Sequence, residues 1–270
     1  MLAINGHDLA WLDWGEGAGA GLPVLCLHGA GEISHIWDDF ASRLAGRRRV
    51  VAPDLRGHGD SARADPSAYS LRDFRADVEA LLAQLRIERA AIVGHGLGAV
   101  LALVQAGATP GRVERVVVVD SAARLPDVQS RALREASERA PLPLRDFAAM
   151  FAAARSVAPG ADEETITWLL PYLFRRSADG HVWKWDPQAL AGADQWSAQQ
   201  WLARIRCPVL VVRAEESTVL AADVAEALAA EIDDCRVVTI PDATHSLILE
   251  RPDALAAAVL PFLLGASKPA

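Results

Sequence analysis

The fold is decided by a turn that lies in the first half of the chain, Val93-Gly94-His95-Gly96-Leu97-Gly98-Ala99. The residues that lead into this turn, Ala90–Val93, form a short apolar run that is typical of a buried strand. After the turn, apolar residues recur with helical spacing across Leu97–Val104. A strand that enters a helix through such a turn is a building unit of parallel sheets covered by helices, so the turn predicts an α/β fold.

The same alternation of short apolar runs and longer amphipathic segments extends over most of the chain. Seven runs are predicted to be strands: Leu9–Trp14, Pro23–Leu27, Arg49–Pro53, Ala90–Val93, Val116–Val119, Pro208–Val212 and Arg236–Ile240. The clearest helical pattern between them runs from Phe74 to Leu85, behind a capping box at Ser70 and Asp73. We therefore predict a mostly parallel sheet with helices on both faces.

One region, from about Ser121 to Ala203, interrupts this alternation. It contains no convincing strand, and three helices are predicted there: Asp127–Ala140, Leu144–Ala154 and Glu163–Phe174. An insertion of this length is more typical of a separate helical layer than of a loop. We predict that residues 1–120 and 204–270 form the core, and that residues 121–203 form a helical lid over it.

The composition is that of an ordinary globular protein and argues against several partners. Hydrophobic residues make up 51% and charged residues 23% of the 270 residues, which excludes a disordered or fibrous chain. A net charge of −8 without a dense basic run makes nucleic acid and anionic membrane poor partners. The N-terminus lacks a signal-peptide pattern and no apolar run approaches a membrane span. We expect a cytoplasmic monomer or homodimer that binds a small-molecule substrate.

No cofactor or metal is implied by the motifs. The three cysteines, Cys26, Cys207 and Cys235, lie far apart and lack the spacing of a metal site. The glycines of the central turn have the wrong spacing for a dinucleotide-binding loop. We expect a protein that works without a cofactor.

Four further segments carry a resemblance to a known family. The loop His28-Gly29-Ala30-Gly31 follows one predicted strand, the loop Asp54–Ser61 follows another, and His245 follows the last, ahead of Glu250-Arg251-Pro252. In this order and spacing the chain resembles a lidded α/β-hydrolase, of the kind that includes meta-cleavage product hydrolases, epoxide hydrolases and esterases. The resemblance implies the α/β-hydrolase fold and a hydrolase acting on a small, largely apolar ester, lactone, amide or carbon–carbon substrate.

The central turn departs from the family pattern at one residue. The family's nucleophile elbow has the form G-x-S-x-G, whereas this chain has Gly94-His95-Gly96-Leu97-Gly98 and therefore leaves the nucleophile position vacant. Three interpretations remain open: a retained turn that has lost its chemistry, a hydrolase whose serine was removed by engineering, or a native enzyme without a covalent step. The last could be a cofactor-independent lyase, decarboxylase, cyclase or oxygenase. A non-catalytic ligand-binding module is the further alternative.

The resemblance also implies a catalytic base and an acid that orients it. His245 matches the base, and a histidine in that role needs a carboxylate on its other ring nitrogen. The family places this acid after one of two strands, which leaves Asp120 and Glu216 as near-equal candidates and Glu215 behind them.

The remaining site residues follow from the same resemblance. The backbone amides of Leu97 and Ala30 match the family's oxyanion donors, which do not depend on the side chain at residue 96. Gly29 and His95 are placed with the substrate-binding residues. His35 and Trp37 are candidates for lining the pocket. Trp183 and Trp185 are interpreted first as packing the lid and second as lining the pocket.

Overall fold

The computed structural model describes residues 1–15, 19, 21–139 and 142–265, and eleven strands and nine α-helices lie within them. The strands are β1 (Leu2–Ile4), β2 (His7–Leu9), β3 (Trp11–Trp14), β4 (Val24–Leu27), β5 (Val50–Pro53), β6 (Ala90–His95), β7 (Val113–Val119), β8 (Phe174–Ser177), β9 (Gly180–Trp183), β10 (Val209–Ala214) and β11 (Cys235–Ile240). The helices are α1 (Asp38–Leu44), α2 (Leu71–Gln84), α3 (Leu97–Ala108), α4 (Asp127–Ser137), α5 (Phe147–Val157), α6 (Glu163–Leu173), α7 (Ala222–Ala230), α8 (Leu247–Glu250) and α9 (Pro252–Leu264).

Seven of the strands form one sheet in the order β11-β10-β7-β6-β4-β5-β3. All neighbours are parallel except β3, which runs antiparallel to β5 at one edge. Strands β4, β5 and β6 are buried at every residue. Alternate residues of these strands enter two separate apolar clusters, one on each face of the sheet. The predicted doubly covered, mostly parallel sheet is confirmed.

The segment between β7 and β10 holds α4, α5 and α6 and also a hairpin of β8 and β9. The prediction that this region contains no strand is wrong. Phe174, the predicted last residue of the third helix, has an extended backbone and begins β8, and α6 ends at Leu173. The predicted end of the first lid helix, Ala140, lies outside the described residues, and the described helix ends at Ser137.

A second hairpin, β1–β2, lies at the N-terminus and was not predicted. Its turn contains Asn5 and Gly6, both with positive φ, which is the signature of a tight hairpin turn. Across the described ranges no helix combines the length and the apolar character that spanning a membrane would require.

Candidate active site

The loops after β4, β6, β7 and β11 meet at one end of the sheet, because the carboxyl ends of parallel strands lie on the same edge. Gly96 stands there between β6 and α3, with φ +50° and ψ −116°, a backbone conformation that side-chain-bearing residues rarely adopt. Gly98 allows α3 to approach β4 closely, since a Cβ at this residue would lie 2.1 Å from the carbonyl oxygen of Leu27. The turn therefore has the strained geometry of an elbow although its central residue is glycine.

The strain at residue 96 predicts the effect of Gly96→Ala on stability. A Cβ there would lie 3.4 Å from Gly29 Cα and 3.7 Å from His245 Nε2, so the space is adequate and the cost lies in the backbone. We expect the melting temperature to fall by about 2–6 °C, from a strain of about 1–3 kcal/mol partly offset by the stiffer unfolded chain. Gly111→Ala is the matched control, because a Cβ there meets open space without a positive φ. A rise in melting temperature for Gly96→Ala alone would contradict the elbow geometry.

His245 is held by a buried carboxylate. Its Nδ1 donates to Asp120 Oδ2 at 2.8 Å, and Asp120 is 0% exposed. The same carboxylate accepts from the backbone N–H of Ala214 at 2.9 Å and from Ser217 Oγ at 2.6 Å. Because Nδ1 carries the proton, Nε2 presents its lone pair toward the space above Gly96.

The structure places Asp120, and neither Glu216 nor Glu215, against His245. Glu216 and Glu215 are both exposed, and neither side chain bonds to His245. Strand β10 ends at Ala214, and the following turn brings Ser217 rather than a glutamate against Asp120. The carboxylate of Glu215 instead accepts from the backbone N–H of Asp242 at 3.3 Å.

Two backbone amides face the same space. The N–H of Leu97 belongs to the first turn of α3, where amides have no intrahelical partner, and the N–H of Ala30 lies in the turn after β4. Within the described part of the chain, neither amide donates a hydrogen bond. Both residues line the cavity described below, so their N–H groups can receive an oxygen atom of a bound molecule.

A buried ion pair lies beneath these groups. His95 Nδ1 donates to Glu32 Oε2 at 2.8 Å, and His95 Nε2 donates to the backbone oxygen of His245 at 2.9 Å. Since both partners are acceptors, both ring nitrogens carry protons and His95 is an imidazolium. Burial alone would lower the pKa of His95, but the charge and hydrogen bond of Glu32 raise that pKa above its ordinary value. In turn, although burial opposes it, His95 lowers the pKa of Glu32 to about 2.

The ion pair connects three segments of the site. Glu32 Oε2 also accepts from the backbone N–H of Gly29 at 2.6 Å, next to Ala30. His95 itself precedes Gly96, and its ring lies 4.4 Å from the ring of His245. The Glu32 side chain was not among the sequence candidates. The sequence shows that Glu32 is close to Gly29, three residues before it, but it gives no sign of the contact with His95, which is 63 positions away.

A cavity of about 490 Å³ opens above these residues, between the carboxyl end of the sheet and helices α4, α5 and α6. Most of its lining is apolar and comes from α4, α5, α6 and α8, together with Trp183, Trp185 and Trp196. Trp183 and Trp185 line the cavity, which is the second of the two roles that the sequence suggests for them. The polar groups of the wall are few: Glu32, Gln129, His245 and Ser246. A second cleft of about 590 Å³ lies beyond Trp196, against α2, and contains neither Gly96 nor His245, so we place the site in the first cavity.

Three predicted lining residues lie elsewhere. His35 stacks on Tyr172 at 3.6 Å outside the cavity, and Trp37 is fully buried in the core beside Phe40. Both lie in the short 3₁₀ turn Ser34–Trp37, which directs Ile36 rather than its neighbours to the cavity. His95 is likewise fully buried below the cavity floor and does not line it. Gly29, Ala30 and Leu97 do line it. Across the described ranges, no three His, Cys, Asp or Glu side chains are grouped as a metal site.

Comparisons with known proteins agree with the α/β fold described above. A family model described as alpha/beta hydrolase fold matches residues 23–252. An uncharacterized protein of Mycobacterium tuberculosis is 41% identical over 113 residues, which are 41% of this chain and 32% of that protein. The match thus spans about a third of the length of the first curated relatives. A 3-hydroxybutyrate-oligomer hydrolase of Cupriavidus necator is 25% identical over 93% of this chain and 92% of its own length. The crystal structure of E-2-(acetamidomethylene)succinate hydrolase superposes with a TM-score of 0.84 at 23% identity, covering 96% of this chain and 100% of that chain.

Proposed function

The chain belongs to the α/β-hydrolase family, and from this premise we propose that it is a hydrolase-type enzyme that forms no covalent intermediate at residue 96. In this proposal His245 is the general base, Asp120 orients it, and the amides of Leu97 and Ala30 stabilise an oxyanion. The substrate is a small, largely apolar ester, lactone, amide or carbon–carbon compound. The observation that carries the proposal is the space at Gly96 beside His245 Nε2, where family members of the G-x-S-x-G form have a serine side chain. The same cavity is lined by Leu97 and Ala30, whose amides donate no hydrogen bond within the described residues.

Hydrolysis in this site would proceed by direct attack of water. His245 Nε2 removes a proton from a water molecule above Gly96, and the water oxygen forms a bond to the substrate's carbonyl carbon. The carbonyl oxygen becomes negative and accepts hydrogen bonds from Leu97 N–H and Ala30 N–H. The imidazolium of His245 then gives its proton to the leaving group as the bond to that group breaks. Asp120 keeps the imidazole in the correct tautomer throughout, and it stabilises the cation between the two proton transfers.

A second candidate is a proton-transfer reaction at carbon. The observation that favours it is that the Asp120–His245 pair and the two amides are complete without any side chain at residue 96. The enolate oxygen would accept hydrogen bonds from the two amides, while His245 Nε2 holds the proton removed from the substrate's carbon. Such a step occurs in a cofactor-independent lyase, decarboxylase, cyclase or oxygenase. The relative from Cupriavidus necator, named a hydrolase and matched over nearly its whole length, supports hydrolysis as the first reaction to test.

The variant His245→Ala tests both reactions. We expect turnover to fall by about 10²-fold or more, because general-base catalysis contributes on the order of 10²–10⁴-fold. Ligand affinity should persist, since the apolar wall supplies most of the contacts. Initial rates on short acyl esters and lactones measure the first quantity, and quenching of the fluorescence of the cavity tryptophans by substrate measures the second.

The control and the contrary outcomes are equally defined. His35→Ala removes a histidine that lies outside the cavity, and it should leave turnover unchanged. If turnover is the same in His245→Ala, His245 is not the base. If neither the wild-type protein nor His245→Ala turns over any of these compounds, and both proteins bind them equally, the chain is a ligand-binding module.

A further inference from the structure

One carboxylate borders the cavity, whose lining is otherwise mostly apolar. Among the described residues that line it, Glu32 alone bears a carboxylate, and no lysine or arginine is present. One oxygen of this carboxylate, Oε2, is occupied by His95 and by the N–H of Gly29. The other, Oε1, accepts no hydrogen bond within the described residues. The Glu32 side chain is 17% exposed, and the residue lines the cavity.

We infer that Glu32 is a specificity-determining residue whose free oxygen accepts a hydrogen bond from a donor group on the substrate, such as a hydroxyl or an amide N–H. The inference rests on the proposed function in one respect, namely that the substrate's carbonyl oxygen lies on the amides of Ala30 and Leu97. Because Glu32 Oε2 accepts from the N–H of Gly29, the residue before Ala30, the carboxylate lies beside the loop whose amide would hold that carbonyl. The substrate class is therefore a carbonyl compound that carries a neutral donor near its carbonyl group.

The surroundings of Glu32 favour a neutral donor over an ammonium group. The imidazolium of His95 already balances the charge of the carboxylate at 2.8 Å. An ammonium group would bring an unbalanced charge into an apolar cavity, which is costly. A hydroxyl or amide N–H gains a charge-assisted hydrogen bond without that penalty. An ether oxygen at the same place would instead face the carboxylate as a second acceptor, so the site should reject it.

A set of ketones tests the inference by binding alone, independently of turnover. The probes are butyrophenone, its 2-hydroxy and 3-hydroxy derivatives, and the corresponding methoxy ethers. We expect one of the hydroxyketones to bind the wild-type protein about 10-fold more tightly than butyrophenone, as a hydrogen bond to a charged group predicts. The matching methoxyketone should bind more weakly than butyrophenone. Quenching of tryptophan fluorescence gives the dissociation constants, since three tryptophans line the cavity.

Glu32→Gln provides the matched variant. The amide oxygen can still accept from His95 and Gly29, while the amide nitrogen replaces the free carboxylate oxygen and presents a donor to the cavity. The preference for hydroxyl over methoxy should therefore fall by about 10-fold or reverse, whereas butyrophenone itself should bind as before. A purely structural role of Glu32 would weaken all the probes equally and leave the ratio unchanged.

The outcomes separate this inference from the proposed function. If neither hydroxyketone binds wild-type protein more tightly than butyrophenone, the inference is wrong, and this result needs no variant. If the preference persists in Glu32→Gln, another residue is responsible and the inference is also wrong. If the wild-type protein has no esterase or lactonase activity, the proposed hydrolysis is wrong, and the preference among the ketones still tests the inference on Glu32.

Discussion

Gly96→Ser is expected to convert a chain that does not react with a fluorophosphonate probe into one that is labelled at about one probe per chain. Such probes need a nucleophilic hydroxyl, a base that removes its proton, and donors for the phosphoryl oxygen. The groups that we propose as base, acid and oxyanion donors, namely His245, Asp120 and the amides of Leu97 and Ala30, already lie around residue 96. A serine Cβ would lie 3.7 Å from His245 Nε2, which brings its Oγ within hydrogen-bonding reach of the base.

Intact-mass measurement after incubation with the probe gives the stoichiometry directly. Gly96→Ala should remain unlabelled, because it adds the backbone strain without the hydroxyl. Adding His245→Ala to Gly96→Ser should abolish labelling, because the serine loses its base. The wild-type cavity does contain one serine, Ser246, but its hydroxyl donates to the backbone oxygen of Val157. A stoichiometric adduct on the wild-type chain would show that a nucleophile other than residue 96 is present.

The fold was predictable from the sequence because its central strands are covered on both faces. Strands β4, β6, β7 and β10 appear as short, continuous apolar runs, and their ends in the structure agree with the predicted ends to within three residues. The hairpin β8–β9 was missed for a physical reason. It has four residues in each strand and bears exposed Arg175 and Arg176, so it shows neither a buried run nor a clear alternation.

The acid that pairs with His245 could not be chosen from the sequence because the choice depends on register between distant strands. Asp120 follows β7, and its own N–H donates to the oxygen of Val212 in β10, which places its carboxylate against Ala214 and His245. Spacing along the chain contains no information on this pairing, since Asp120 and His245 are 125 positions apart. Spacing along the chain also does not predict the contact of Glu32 with His95. Glu32 follows β4 and His95 ends β6, and these two strands are neighbours only in the folded sheet.

Asp120→Asn is expected to lower turnover by about 10²-fold or more while the protein remains folded, a loss similar to that of His245→Ala, because it disables the same base. The asparagine oxygen can still accept from Ala214 N–H, but its NH₂ group then faces His245 Nδ1. That nitrogen must become an acceptor, so the proton moves to Nε2, the atom that has to remove a proton from the substrate or from water. Asparagine also tolerates the positive φ of +43° at this position, which protects the fold.

Glu216→Gln is the matched control, because it makes the same carboxylate-to-amide change on the other candidate acid, which is exposed and has no contact with His245. Its turnover should equal that of the wild-type chain. Rates on the best substrate, measured beside the melting temperature, separate loss of the correct tautomer from loss of the folded state. Because ligand binding relies on the apolar wall and the two amides, the fluorescence-derived dissociation constant should change little in Asp120→Asn. If instead Glu216→Gln is inactive and Asp120→Asn retains full turnover, then the hydrogen bond at 2.8 Å is not the one that orients the base, and the proposed mechanism fails at its first step.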